Sequence, residues 1–335
     1  MAATNDHIPI QNGDHSENDV DLQTKISDFE AQLSQLRSQQ HQKPQSASQF
    51  HDNSVSHLDS PTHSHNATHP SPTFPPSTHL LLLLSDSALP LGSFAFSSGL
   101  ESFLAHTTRT PQPPPQLFTT TFLPLSISSY ASTTLPFVLA AHASPHLLPD
   151  LDDALDAATI CTVARRASVA QGRALLGIWE RSFAPGRHDI AGAGDEKAGE
   201  ELLQFSRLLR SSSSSRASST DGGDGGGGEL PPAVAAHIPP LFGAVCRAAG
   251  LDRQATATVY MLNHVKALVS AAVRRGMFGP YQAQKILAST QVRQTVEAVV
   301  AREWNTHWWE AGQGVPVMDL WVGRHEMLYS RIFNS

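Results

Sequence analysis

Apolar residues in the second half of this chain recur every three or four positions, the period that places them on one face of an α-helix. The pattern is clearest after Asp252, a suitable N-cap residue. Gly276 marks the end of that helix, and Pro280 suits the first position of the next one. No segment alternates apolar and polar residues as a half-buried strand would. The sequence therefore predicts an all-α fold, in which one side of this long helix holds Val259, Leu262, Val265, Val269 and Val273.

The first 77 residues differ in composition from the rest of the chain. They are rich in Gln, His, Ser, Asn, Asp and Pro and poor in large apolar side chains. Such a segment buries too little apolar surface to offset the chain entropy lost on folding. We predict a disordered low-complexity extension over residues 1–77, with a short heptad-like helix near residues 22–36. Residues 78–335 then form a single helical bundle domain.

A second change of composition interrupts that domain. The apolar spacing over residues 151–182 predicts one long helix, which Pro185 and Gly186 end. The following residues are mostly Gly, Ala, Ser and acidic residues. We predict a flexible insertion over about residues 185–232, in which residues 200–210 form one short helix.

The stretch that begins the domain combines turn-forming residues with evenly placed apolar ones. Because Pro90 restricts the residue before it, the helix suggested by the preceding leucine run should end near Ala88. Ser98 and Glu101 have the spacing of a capping box, which predicts the start of another helix. The sequence thus indicates a helix, a rigid apolar turn and a capped helix over residues 80–101.

Charge and cysteine content limit the possible partners and compartments. The net charge is −7, but residues 1–78 hold nine acidic against three basic residues, so the remainder is nearly neutral. A neutral domain without a basic stripe argues against nucleic-acid binding. The leucine run at 80–84 is too short to span a membrane, and the polar first residues do not resemble a secretory signal. The isolated Cys161 and Cys246 fit a reducing compartment, so we expect a cytoplasmic protein.

Catalytic and nucleotide-binding motifs are missing from the sequence. There is no Gly-x4-Gly-Lys-Ser/Thr phosphate loop, and the Gly-x-Gly-x-x-Gly match at 223–228 has no strand before it. Ala95 stands where a nucleophile elbow through Ser97 would need glycine. We therefore expect no enzymatic activity and no bound cofactor.

The histidines allow two interpretations. His63, His65 and His69 are close enough to bind nickel or zinc weakly, but low-complexity composition explains them more simply. His325-Glu326 begins like a zinc-binding helix, yet Tyr329 occupies the position of the second histidine. We expect His325 to be a packing or hydrogen-bonding residue, and we expect no metal site in this chain.

The C-terminal residues 325–335 combine aromatic side chains with Arg331, a composition typical of protein interfaces. Together with residues 85–101 they resemble the urease accessory protein F (UreF) family. Its members open on D-x-A-L-P-x-G-x-F-x-x-S-x-G-L-E and close on R-H-E-x-L-Y-x-R-L-F-x-S. Between these blocks the chain keeps further family blocks in order, at 167–175, 241–243, 270–274 and 279–284. The resemblance covers roughly residues 78–335 apart from the insertion.

The resemblance implies an all-helical adaptor in urease maturation. Its partners would be a UreD/UreH-type scaffold, a UreG-type GTPase and apo-urease, and nickel would be handled by the complex. Modulation of GTP hydrolysis and formation of a homodimer are further implications. The candidate partner-binding residues are Pro90, Gly92, Phe94, Ser97, Gly99, Glu101, Arg274, Gln282, His325, Glu326, Tyr329, Arg331 and Phe333.

Two questions stay open in the sequence. An all-α scaffold or signalling adaptor unrelated to metal is the alternative function, although it would predict a basic groove. The C-terminal tail either packs on the bundle or becomes ordered on a partner, and the resemblance favours the partner. Ser93 and Ala95 depart from the family pattern, in which Gly and a polar or aromatic residue are common.

Overall fold

The structure is a computed structural model that describes residues 75–107, 112–184, 194–218 and 234–334. These residues belong to one compact unit, His69–Ser335. No strand occurs in the four described ranges, which confirms the predicted all-α fold. The extension over residues 1–77 lies almost entirely outside the described residues, as does its heptad pattern near 22–36, so both stay predictions.

Short turns connect several of the helices in the described ranges. Two π-helical turns, Phe118–Phe122 and Trp179–Phe183, continue directly from an α-helix. The helices are α1 Pro76–Ser85, α2 Leu100–His106, α3 Pro114–Leu117, α4 Leu123–Ala143, α5 Leu148–Ala158, α6 Thr162–Ile178, α7 Glu196–Ser218, α8 Ile238–Ala248, α9 Arg253–Arg274, α10 Pro280–Leu287, α11 Thr290–Glu303 and α12 Pro316–Arg324.

Helix α8 lies at the centre because it is apolar on nearly every side. Helices α4, α6 and α7 pack around it, and the contact with α4 is the most extensive. A Cβ atom at Gly243 would overlap the carbonyl oxygen of Val138 and lie 3.0 Å from the amide nitrogen of His142. Gly243 therefore allows α4 and α8 to approach as closely as they do.

The predicted ends of helix α9 are confirmed. The Asp252 carboxylate accepts a hydrogen bond from the Ala255 amide at 2.7 Å, which satisfies a free donor of the first turn. Gly276 follows the helix with a φ of +75°, and Pro280 is the first residue of α10. These local signals therefore fix both helix boundaries.

Helix α1 ends earlier than predicted, at Ser85 rather than near Ala88. The Asp86 carboxylate accepts a hydrogen bond from the Ala88 amide at 2.9 Å, so residues after α1 form a turn instead of continuing the helix. Asn263 of α9 donates to the Leu84 carbonyl at 2.9 Å, which satisfies one of the last carbonyls of α1.

The prediction of one helix over residues 151–182 is wrong. Helices α5 and α6 are separated by residues 159–161, where Ile160 is 93% exposed. The Thr159 amide and hydroxyl both donate to the Leu155 carbonyl, the latter at 2.7 Å. Thr159 and Ile160 are both β-branched, and the Thr159 hydroxyl competes with the backbone for the Leu155 carbonyl. Both effects favour the end of the helix at this point.

Part of the predicted insertion also belongs to the bundle. Helix α7 is longer than the short helix predicted at 200–210, and its side chains Ala198, Leu202 and Phe205 are buried. Their spacing of four and three residues forms an apolar face that packs on α8. Residues 185–193 and 219–232 of the predicted insertion lie outside the described residues.

Candidate interaction surface

Glu101 joins the two ends of the domain. It lies in the first turn of α2, yet its side chain is buried. Its carboxylate accepts hydrogen bonds from the amides of Ile332 at 2.8 Å and Phe333 at 3.2 Å. The Nε atom of Arg275 lies 3.9 Å away. Two amide donors and a nearby guanidinium compensate for the burial of this carboxylate, so the first family block holds the C-terminal tail.

The predicted capping box between Ser98 and Glu101 is wrong. Gly99 is the N-cap residue of α2, with a φ of +86°, and Ser98 also has a positive φ of 49°. A Cβ atom at Gly99 would lie 3.0 Å from the amide nitrogen of Val322 in α12. Glycine is therefore required both for the backbone conformation and for the approach of α12. Glu101 accepts hydrogen bonds from the tail instead of from its own helix start.

The C-terminal tail is ordered on the body of the isolated chain, which corrects the preference for ordering on a partner. Phe333 is buried, and its carbonyl accepts a hydrogen bond from Nε2 of the buried His325 at 3.0 Å. The Asn334 amide donates to the Ala95 carbonyl at 2.7 Å. The hydrogen-bonding role expected for His325 is confirmed. Because Ala95 contributes only its backbone, the departure from the family pattern at this position leaves the contact intact.

Arg274 covers the tail from the end of α9. Its guanidinium carbon lies 4.6 Å from the ring centroid of Phe333 and 6.0 Å from that of Phe94. Burial lowers the pKa of Arg274, but the group stays charged near neutral pH. The arrangement is a cation–π contact that links the turn, helix α9 and the tail.

A second group of charges holds the outer side of the tail. Glu326 accepts hydrogen bonds from Arg166 at 2.5 Å and from Arg331 at 2.8 Å. Arg166 also donates to the Asn334 carbonyl at 3.0 Å. The hydrogen bonds from Arg166 and then Arg331 lower the pKa of Glu326, which keeps it ionised. Helix α6 thereby contacts the tail through an arginine that the sequence did not indicate.

Most of the candidate residues thus form one surface, which we call the tail clasp. Pro90, Gly92 and Ser97 belong to the turn before it, where Pro90 is exposed, Gly92 has a φ of +72° and Ser97 is buried. Tyr329 is fully exposed on the tail. Gln282 lies elsewhere, in a groove between α4 and α10 that no clasp residue lines. The tail clasp consists of Phe94, Glu101, Arg274, His325, Glu326, Arg331 and Phe333.

Asp152 is the main structural residue that sequence reasoning missed. It is buried, and its carboxylate accepts hydrogen bonds from the amides of Ala235, Ala236 and His237 at 2.7, 3.0 and 2.6 Å. It thereby fixes the chain where it enters α8. An acidic residue near the start of a helix is already explained by the helix dipole. Because the three amides come from a distant segment, the sequence does not indicate that this acid is buried.

The neighbouring side chains complete this anchor. Nε2 of His237 donates to Asp156 at 2.8 Å, and Arg165 pairs with the same carboxylate. Burial raises the pKa of Asp156, but the hydrogen bonds from Arg165 and His237 outweigh that effect and lower it. A Cβ atom at Gly172 would overlap the Ala236 carbonyl oxygen. A glycine inside a helical pattern is a sequence signal for such a close approach.

The described residues contain no group of three or more His, Cys, Asp or Glu side chains arranged to hold a metal ion. His63, His65 and His69 lie outside the described residues. Both cysteines are free, and burial raises the pKa of the Cys246 thiol. The helical stretch Pro114–Ala143 is long and apolar enough to cross a membrane, but 61% of its most apolar window is buried inside the fold, as in a core helix.

Comparison with known proteins connects this geometry to a family. The family model of UreF matches residues 120–291, which include α4 and the α8–α9 region. A Schizosaccharomyces pombe protein named as urease accessory protein UreF-like is 35% identical over 260 residues, which cover 77% of this chain and 97% of that protein. The chain belongs to the UreF family.

Other relatives extend this family membership beyond fungi. Urease accessory protein F of Arabidopsis thaliana is 30% identical over 254 residues, 75% of this chain and 90% of the plant protein. Urease accessory protein UreF of Paenarthrobacter aurescens is 25% identical over 252 residues, 75% of this chain and 95% of the bacterial protein. The UreF resemblance is confirmed, and the chain is a urease accessory protein.

Proposed function

We propose that this UreF-family chain is a non-enzymatic adaptor that bridges a UreD/UreH-type scaffold and a UreG-type GTPase. The complex forms in the cytoplasm and inserts nickel into apo-urease, with nickel as cargo of the complex. Any effect of this chain on GTP hydrolysis acts through assembly, because an adaptor needs preformed surfaces rather than reactive groups. A homodimer of the chain would place two such surfaces in one assembly.

The composition of the exposed tail carries this proposal. On the tail, Met327 is 81% exposed, and Tyr329 and Ile332 also face solvent. Phe94, in the turn that the tail contacts through Ala95, is 66% exposed. Arg331 lies among them and is exposed. Aromatic residues, methionine and arginine are the side chains enriched at protein interfaces. Exposed apolar residues grouped on one segment, rather than scattered singly, favour a partner-binding surface.

The tail clasp also fixes this segment before any partner binds. Glu101 holds the Ile332 and Phe333 amides, and Phe333 is buried beneath Arg274. A surface that is already ordered loses less conformational entropy on binding than a free tail. The clasp therefore supports an adaptor whose preformed contact surface combines residues from both ends of the helical domain.

Co-purification with the cognate scaffold and GTPase tests the proposal, with nucleotide and nickel present. We compare the parent chain with Arg331→Ala and with a matched control, Arg293→Ala. Both arginines are exposed and both form one ion pair, with Glu326 and Glu297 respectively. Arg331→Ala should lose the scaffold or the GTPase from the complex, whereas Arg293→Ala should retain both.

Failure of the parent chain to capture either partner would refute the adaptor role. Equal retention in the two variants would refute the placement of the contact at the tail clasp. Circular dichroism and melting temperature of the variants provide the folding control, because exposed ion pairs contribute only about 0–1 kcal/mol to stability.

A further inference from the structure

A large cavity lies between helices α4 and α6, away from any function assigned above. Its volume is about 810 Å³, and its lining also includes residues of helix α12 and Ile238 and Pro239 at the start of α8. Cavities of about 300–1,000 Å³ hold drug-sized ligands in other proteins. Its size alone therefore allows a small molecule rather than a few waters.

Small side chains on the facing sides of α4 and α6 leave the space between the two helices open. Helix α4 contributes Ser126, Ser129 and Thr133, which lie on one face three and four residues apart, and α6 contributes Ala164 and Ala167. Larger side chains at these positions would fill the space. The cavity therefore exists because the two helices place small side chains opposite each other.

A proline in α4 helps to hold the segment before α12 against the cavity. Pro136 has no amide N–H, so the Ser132 carbonyl cannot form its regular helical hydrogen bond. That carbonyl instead accepts a hydrogen bond from the Gly312 amide at 3.1 Å. The Ser129 hydroxyl donates to Gln313 at 2.9 Å, and Gln313 donates to Asp319 of α12 at 2.8 Å. The cavity is therefore preformed by contacts that need no ligand.

The lining is polar in places but almost uncharged. Tyr130 and His264 stack with ring centroids 3.9 Å apart, and His264 is hydrogen-bonded to Ser126 at 3.0 Å. Burial raises the pKa of Tyr130 to about 12 and lowers that of His264 to about 3, so both are neutral near pH 7. Asp319 is the one Asp, Glu, Lys or Arg residue in the lining, and it is exposed. An ionic ligand would lose its hydration without a compensating charge deep in the cavity.

We propose that this cavity binds a neutral, mainly apolar small molecule that carries one or two hydrogen-bonding groups. The apolar body contacts Phe137, Ile238 and Met318, and the polar groups meet the hydroxyls of α4. Ile160 and Leu320 line the cavity and are exposed, which gives an apolar entrance. The site is independent of the adaptor role, since no member of the tail clasp lines the cavity.

Titration of the full chain with Nile red, a neutral dye whose emission rises in apolar surroundings, tests the site. Ala167→Phe places a bulky side chain in the cavity, and Ala170→Phe is the matched control on the same helix. Ala167 lines the cavity, whereas Ala170 is exposed and does not. The anionic dye 1-anilinonaphthalene-8-sulfonate tests the requirement for a neutral ligand.

The parent chain should bind one Nile red molecule in a saturable manner. Ala167→Phe should weaken binding at least tenfold with an unchanged or higher melting temperature, and Ala170→Phe should bind within twofold of the parent. The anionic dye should bind at least tenfold more weakly than Nile red. Absence of saturable binding, equal affinities in the two variants or equal affinities for the two dyes would overturn the proposal.

Discussion

The close contact between α4 and α8 leaves no room for a side chain at Gly243. A Cβ atom there would overlap the Val138 carbonyl oxygen and lie 3.0 Å from the His142 nitrogen. Both obstacles are backbone atoms of α4, which cannot move as a flexible side chain can. Gly243→Ala must therefore push α8 away from α4 by roughly 1 Å to reach ordinary contact distances.

The expected loss of stability follows from that separation. Overpacking a core costs about 1–3 kcal/mol, and a gap of about 0.5–1 Å removes a quarter to a half of each dispersion contact across the interface. Alanine offsets about 0.5–1 kcal/mol of this loss, because it favours the helix over glycine. Because both obstacles are backbone atoms and the neighbouring Leu241 and Phe242 are buried, we take the upper end of the overpacking range, about 3 kcal/mol. After the gain in helix propensity, we expect a net loss of about 2 kcal/mol in the free energy of unfolding.

Urea unfolding followed by circular dichroism at 25 °C measures this loss, with Gly177→Ala as the matched control. Gly177 also lies in a helix, but a Cβ atom there would meet nothing within 4 Å. The control should gain about 0.5–1 kcal/mol from helix propensity alone. The two variants should thus differ by about 2.5–3 kcal/mol in the free energy of unfolding, with similar m values. If Gly243→Ala unfolds within about 0.5 kcal/mol of the parent, the close-approach argument is refuted.

Three further changes test the buried polar groups. Glu101→Gln replaces one carboxylate oxygen with an NH₂ group, which cannot accept a hydrogen bond from the tail amides that Glu101 binds. The hydrogen-exchange rates of those amides, measured by NMR, should therefore rise about 10- to 100-fold, and unchanged rates would contradict the anchor. Asp152→Asn should lower the free energy of unfolding by about 1–3 kcal/mol, whereas exposed Asp153→Asn should change it by less than about 0.5; equal urea midpoints would contradict this difference. The unfolded chain binds more protons at His264 than the folded one between about pH 3 and pH 6.5, because burial lowers its folded pKa to about 3. The contribution of His264 to the free energy of unfolding is therefore lost as the pH falls below 6.5. His264→Gln should reduce the slope of the unfolding free energy against pH by up to about 1.4 kcal/mol per pH unit, and identical slopes in the two proteins would contradict this prediction.

Some features that depend on nearby residues were read correctly from the sequence, although the capping box at Ser98 and the end of α1 were not. The all-α fold followed from apolar spacing, and both ends of α9 and the start of α10 followed from Asp252, Gly276 and Pro280. These signals act within about four residues, so no knowledge of packing is needed. The break at Thr159 was missed because apolar spacing continues across it. Helix α7 was underestimated because the surrounding Gly and Ser residues dominated the composition.

Local residue patterns are sufficient to predict the helical class, several helix ends and the UreF family of this chain. The partners of the buried acids depend instead on how the helices pack: Glu101 binds amides 231 and 232 residues away, and Asp152 binds amides 83 to 85 residues away. In the sequence, each acid simply suits the first turns of a helix. Whether it faces water or a buried N–H depends on which backbone segments the packing of all the apolar faces brings within about 3 Å.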